Sequence, residues 1–241
     1  MAFPAVQTAD TKTGTQASNS TSWTLTYPTN LASGDLILAF VGTDGNPGVT
    51  FPALWERYNC PLAGGGAAAS LYVGAKISVG SETGNFTLTV GATEQGAWRI
   101  FRITGWNGAA LPSTSNNLTA GVSNSDSMAL FGSSATTGNP DPPNLDPGNW
   151  ATEDTLWIAA CGVDTSRTIS VFPLTDLNTA DVSGGSTGAT LGLCMKNDTV
   201  SSLNPGTFTI SASDDWAAAT VAVRPTAGTT YTKAGFGKES A

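Results

Sequence analysis

Histidine is missing from all 241 residues. This excludes Ser-His-Asp and Cys-His catalysis and removes both the commonest general base near neutral pH and the commonest metal ligand. Charge is scarce as well: 12% of residues are charged, with ten Lys and Arg against eighteen Asp and Glu, for a net charge of −8. Phosphate binding needs clustered basic side chains, so no nucleic-acid partner is expected. No apolar run reaches the ~18 residues that would cross a membrane. The start, Met1-Ala2-Phe3-Pro4-Ala5-Val6-Gln7, lacks the positive and apolar stretches of a secretory signal. No membrane partner is expected, and synthesis in a cytoplasm follows. The three cysteines, Cys60, Cys161 and Cys194, are odd in number and show no Cys-x-x-Cys spacing, which argues against a disulfide framework or a zinc site. Cys161 and Cys194 sit in apolar strand patterns and read as small buried hydrophobes.

Phosphate-cradling glycine motifs that open a helix are absent too, and Gly64-Gly65-Gly66 reads as a plain loop. A carboxylate-pair hydrolase is the one enzyme class this composition allows. Its carboxylates would be drawn from Glu82, Glu94, Asp214 and Asp215, all in predicted turns, and no Glu-x-Asp-x-Glu string occurs. The expectation is therefore a protein that is not an enzyme, with no catalytic residue and no cofactor. Asp44 and Asp164 stand at equivalent places after two apolar strands, and Asp44-Gly45-Asn46 carries oxygen ligands of a kind calcium uses. An Asx turn accounts for them more simply, and no metal is expected.

What is present is a pattern of about 120 residues that occurs twice. Gly34-Asp35-Leu36-Ile37-Leu38-Ala39-Phe40-Val41-Gly42-Thr43-Asp44 is echoed by Glu153-Asp154-Thr155-Leu156-Trp157-Ile158-Ala159-Ala160-Cys161-Gly162-Val163-Asp164. Phe51-Pro52 is echoed by Phe172-Pro173, and Leu71 to Lys76 by Leu191 to Lys196. Phe86-Thr87-Leu88 matches Phe208-Thr209-Ile210, and Arg102 matches Arg224. Solenoid repeats are roughly 20 to 50 residues long, so these copies read as two halves of one object.

Alternation marks strands at Trp23 to Tyr27 and Asn85 to Gly91, and apolar runs mark others at Asp35 to Thr43, Ser70 to Ser78 and Ala97 to Thr104. The second half repeats them at Thr155 to Val163, Ala189 to Lys196, Thr207 to Ser211 and Ala217 to Arg224. A proline-rich connection joins the halves, with a short strand expected at Ser127 to Phe131. The fold expected is all-β, a two-sheet antiparallel sandwich of jelly-roll type with extended polar termini. Residues 1–20 form an N-terminal arm, 21–225 the jelly-roll domain in two similar halves (about 21–105 and 153–225), and 226–241 a C-terminal arm.

Of seven tryptophans, Trp23, Trp98 and Trp157 lie within strands and read as core. Trp55, Trp106, Trp150 and Trp216 lie near loops and are the candidates for a sugar-stacking surface, although packing is the commoner fate of such rings.

The strings Ser33-Gly34-Asp35-Leu36-Ile37-Leu38-Ala39-Phe40-Val41, Phe51-Pro52-Ala53-Leu54-Trp55 and Gly80-Ser81-Glu82-Thr83-Gly84-Asn85-Phe86-Thr87 resemble structural proteins of tailed bacteriophages. Pro142-Pro143-Asn144-Leu145 through Asp154-Thr155-Leu156-Trp157-Ile158-Ala159 is similar to the start of the second half in that group. The resemblance covers residues 20–225 or so and rests on strand and turn punctuation. It implies a jelly-roll virion component made in the host cytoplasm: a capsid cement or decoration protein on the outside of a phage head. Its partners would be the major capsid protein or neighbouring virion subunits, and a homo-oligomer is expected. Tyr231, Lys233, Phe236 and Lys238 of the C-terminal arm are the expected capsid contacts. The alternatives are a carbohydrate-binding module of a tail fibre or host-attachment protein and, third, a glycan hydrolase.

Overall fold

The computed structural model describes residues 2–61, 68–113, 117–183 and 188–226. Tyr231, Lys233, Phe236 and Lys238, the rest of the expected C-terminal arm after Thr226, and the Gly64–Gly66 loop lie outside the described residues.

In chain order the strands are β1 (Ala5–Val6), β2 (Lys12–Thr26), β3 (Leu36–Thr43), β4 (Val49–Thr50), β5 (Glu56–Pro61), β6 (Ser70–Ile77), β7 (Asn85–Thr104) and β8 (Ser123–Asn124). They continue as β9 (Met128–Ala135), β10 (Glu153–Val163), β11 (Ile169–Val171), β12 (Leu177–Val182), β13 (Thr190–Val200), β14 (Thr209–Ile210) and β15 (Trp216–Val223). All pairing is antiparallel. One large sheet runs β1-β7-β3-β6-β5, with β2 and β4 also on β7, the other runs β12-β13-β10-β15-β9-β8, and β11 and β14 pair as a small two-stranded sheet. The two orders correspond: β5-β6-β3-β7 in the first sheet matches β12-β13-β10-β15 in the second. The repeat thus becomes two sheets with the same wiring, packed as a sandwich. A jelly roll is not singled out by these orders, because each half of the chain completes its own sheet.

The central strands of the two sheets, β3 and β10, are buried along almost their whole length because both of their faces are covered. On the inner faces Leu36, Leu38 and Phe40 pack with Leu156, Ile158, Leu191, Leu193 and Val221 in a core shared by both sheets. Over the outer face of the first sheet, Ile37, Ala39 and Val41 meet Trp23, Leu25, Phe86 and Leu88, which β2 and the start of β7 present by alternation. Over the outer face of the second, Trp157, Ala159 and Cys161 meet Phe208, Ile210 and Leu145. Leu145 belongs to the proline-rich connection, which the Leu145–Leu203 bridge and hydrogen bonds to the Pro140 and Pro143 carbonyls tie down.

At one end of the sandwich the central strands nearly touch. A Cβ built on Gly42 would lie 3.5 Å from the Gly162 Cα, and one built on Gly162 would lie 2.8 Å from the Ser70 carbonyl oxygen. The contact at Gly162 leaves no room for a side chain, and the approach brings the two loops that follow β3 and β10 together.

Three expectations change. Residues 1–20 are not an arm: β1 pairs with the end of β7, and β2 begins at Lys12 and pairs from Ile100 down to Asn85. The strands expected at 85–91 and 97–104 are one continuous strand, β7. The short strand in the connection extends over Met128–Ala135 and becomes a full neighbour of β15.

Candidate functional site

The four candidate stacking tryptophans are buried: Trp55 is 9% exposed, Trp106 4%, Trp150 7% and Trp216 6%. Each ring fastens a loop. The indole N–H of Trp106 donates to the Gly34 carbonyl (2.8 Å), that of Trp150 to Ser125 (3.0 Å) and that of Trp216 to Thr137 (3.1 Å). Trp55 stacks on Phe51 with ring centroids 5.2 Å apart. The stacking candidates are therefore corrected to packing residues: three are fixed by an indole N–H bonded to a backbone carbonyl, and Trp55, whose buried N–H has no partner, is held by ring packing alone.

Two features remain, one exposed and one partly buried. The first is an apolar patch. Leu54 is 79% exposed and Val79 60%, and with Ile77, Ala110, Leu111 and Glu56 they line a hollow of about 410 Å³. Leu54 also has φ 71, in the left-handed region, at the third position of a turn closed from the Trp55 N–H to the Pro52 carbonyl. That position ordinarily takes Gly or Asn, and a bulky side chain there is strained. In the second half the residue matching Leu54 is Thr175, and the apolar residue beside it, Leu174, is buried. The sequence signal for the patch is a leucine where a turn prefers glycine.

A cluster of carboxyls, formed where the central strands meet, is the second. Asp44 follows β3 and Asp164 follows β10, and their side chains are in hydrogen-bond contact. Glu94 comes from β7 and its carboxylate lies against Gly45, 2.8 Å from where a Cβ would be. Asp214 and Asp215 precede β15. Burial pushes the Asp44 carboxyl up to about 8, with the hydrogen bond and the charge of Asp164, then Glu94 and Asp214, adding to the rise. Glu94 is raised by burial and by Asp164, and Asp215 by burial, Asp164 and Asp214. Asp164 is 9% exposed, and its Oδ1 is buried without a hydrogen-bond partner. The loops are otherwise well held: Ser70 and Tyr72 bond the Asn46 side chain (3.1 and 3.2 Å), and the Thr190 hydroxyl donates to the Thr165 carbonyl (3.0 Å).

Comparison with protein-family models, with curated proteins and with solved structures yields no match. The site chemistry stands on geometry alone.

Of the four carboxylates singled out by sequence, the structure brings Glu94, Asp214 and Asp215 into this cluster and leaves Glu82 elsewhere. Glu82 accepts from the Val79 and Gly80 N–H groups and the Ser78 hydroxyl and pairs with Lys76 at 3.0 Å. Burial opposes its ionisation, yet these bonds outweigh it and hold the carboxyl at about 2. It is a turn clamp. The pairing of Asp44 with Asp164 was legible only as their common offset in the repeat. Two carboxyls in hydrogen-bond contact share a proton, whereas a glycosidase pair stands roughly 5 to 9 Å apart. Among the described residues, no group of three or more His, Cys, Asp or Glu side chains is arranged to hold a metal ion. The three thiols are buried, and burial pushes Cys60 and Cys194 up to about 12 and Cys161 higher still, so none is poised as a nucleophile.

Proposed function

We propose that the protein is a structural component of a phage virion, a decoration protein that seats on the outside of the head and ties neighbouring capsid subunits together. The observation that carries this reading is the Leu54–Val79 patch: two large apolar side chains, one on strained backbone, held out to solvent beside a shallow apolar hollow. Strain at a solvent-facing apolar residue is a cost to the isolated chain, and burial against a partner offsets it. The likeness of the strand and turn strings to tailed-phage structural proteins supplies the class of partner, a neighbouring virion subunit. A rigid double-layered scaffold with three unreactive thiols suits a protein that works by contact.

The alternative, a carbohydrate-binding module of a tail fibre, calls for an exposed aromatic face. Its four candidate rings are buried, and the exposed large hydrophobics among the described residues are Leu54, Val79, Val122, Val171 and Val182, all aliphatic. Protein contact is the better use of such a surface.

Replacing Leu54 by Asn separates function from folding. Asparagine tolerates positive φ, so L54N should unfold at the same temperature or higher, by about 1 kcal/mol of added stability. Particles grown with L54N should retain clearly fewer copies than those grown with the natural chain. Equal copy number on washed particles would remove the patch as the contact surface.

A further inference from the structure

The loops after β3 and β10 put one carboxyl from each half of the chain against the other, at the end of the sandwich where Gly42 and Gly162 let the sheets touch. We propose that Asp44 and Asp164 form a one-proton clasp between the two sheets, closed while they share a proton and loosened when it leaves.

The carboxylates packed around the pair favour holding that proton. Glu94 faces it from β7, and Asp214 and Asp215 face it from the loop before β15. Arg167 is engaged with Asp214 at 2.8 Å, and Asp214 also accepts from the Thr165 hydroxyl. Tyr72 stands behind Asn46, with Arg57 acting on it from β5. By sequence, residues 62–67 and 184–187 contain no titratable side chain. Two ionised carboxylates in contact, among three more, would repel strongly in a partly buried site. One shared proton turns this repulsion into a hydrogen bond, and Asp164 Oδ1, buried with no hydrogen-bond partner, makes a second ionised carboxylate there costly. The backbone of both residues is fixed to the strands they must hold: Asp44 N–H donates to Gln95 O (3.1 Å) and Asp164 N–H to Asp215 O (3.0 Å).

The direction with pH follows from linkage. Asp44 has an ordinary value of 3.8 when unfolded and about 8 when folded. Its contribution to stability is fully present below the unfolded value and is lost as pH rises through the folded one. The loss therefore spans pH 4 to 8 or so, and the end of the sandwich loosens on the alkaline side.

The experiment compares thermal unfolding of the full chain, D44N and D164N from pH 4.5 to 9, with and without millimolar calcium chloride. An asparagine keeps a donor at the pair without needing the proton. The variants should unfold within about 1 °C of the natural chain at pH 4.5 and roughly 5 °C or more above it at pH 8.5. At pH 8.5 the amides of Asp44 and Asp164 should exchange hydrogen at least tenfold faster in the natural chain than the matching amides in D44N. An infrared band of a protonated carboxyl should be present in the natural chain at pH 7 and absent from D44N, which tests the clasp even if one variant folds poorly. Parallel pH curves, a missing carboxyl band, or a calcium-induced rise in the natural chain that D44N lacks would each overturn the proposal, the last by making the pair a cation site.

Discussion

Glu82 shows what a single carboxylate contributes when its surroundings are built for the charge. It closes the turn after β6 by accepting from two backbone N–H groups and a hydroxyl and by pairing with Lys76. Its carboxyl is held at about 2, below an ordinary 4.5, so its contribution is present above the ordinary value and lost as pH falls through the folded one. Replacement by Gln should flatten the acid limb of the stability curve between pH 4.5 and 2 and leave the alkaline limb alone. Denaturant midpoints at a series of pH values check this. An unchanged acid limb would mean that Glu82 only decorates the turn. Asp44 is the counterpart, a carboxyl whose neighbours are built for the proton, and the two residues should give pH effects of opposite sign.

At the level of strands, close approach is enforced by glycine. A Cβ on Gly96 would fall 2.2 Å from the Trp23 ring and 2.4 Å from the Gly42 carbonyl oxygen, where β2, β3 and β7 cross. Gly96→Ala should therefore cost about 2 kcal/mol or more by forcing the ring and β3 apart, read as a lowered unfolding midpoint. A neutral result would show that β2 can shift over β7 without loss. The strands that were legible from sequence are those whose burial is written in their own residues: β3 and β10 as unbroken apolar runs, and the first part of β7 as Phe86, Leu88 and Val90 alternating with Asn and Thr. The beginning of β2 was not, because Lys12 to Ser20 has no large apolar residue; its strand character comes from pairing with β7 and from Gly14, which sits under Trp98. The edge strands β5 and β12 were missed for the same reason, since Glu56–Pro61 and Leu177–Val182 are polar segments that gain their form from β6 and β13. The carboxyl cluster was half legible: the repeat aligned Asp44 with Asp164, but no linear string places Glu94 and Asp214 beside them.

On the scale of the whole molecule, two sheets of the same wiring share one core, and specific polar links cross between them. Arg99 of β7 makes a two-pronged pair with Asp181 of β12, at 2.7 Å for each bond, and Thr13 of β2 donates to the same carboxylate. Each half also ends on an equivalent pair, Arg102 with Asp35 and Arg224 with Glu153. The chain stays anchored up to Thr226, whose N–H and hydroxyl bond the carbonyls of Gly105 (2.9 Å) and Trp106 (2.9 Å). Shortening the chain to end at Thr226 should leave the sandwich folded, and retention of that shortened chain on particles separates a contact through Tyr231, Lys233, Phe236 and Lys238 from one through Leu54 and Val79. The central claim, a decoration role on a phage head, is tested most directly by an electron cryomicroscopy map of purified particles together with the copy number of this chain per particle. Density for the sandwich is expected on the outer face of the head, in copies that follow the capsid lattice, with the Leu54 side facing a neighbouring subunit. Density confined to the tail, or no copies in the particle, would contradict it.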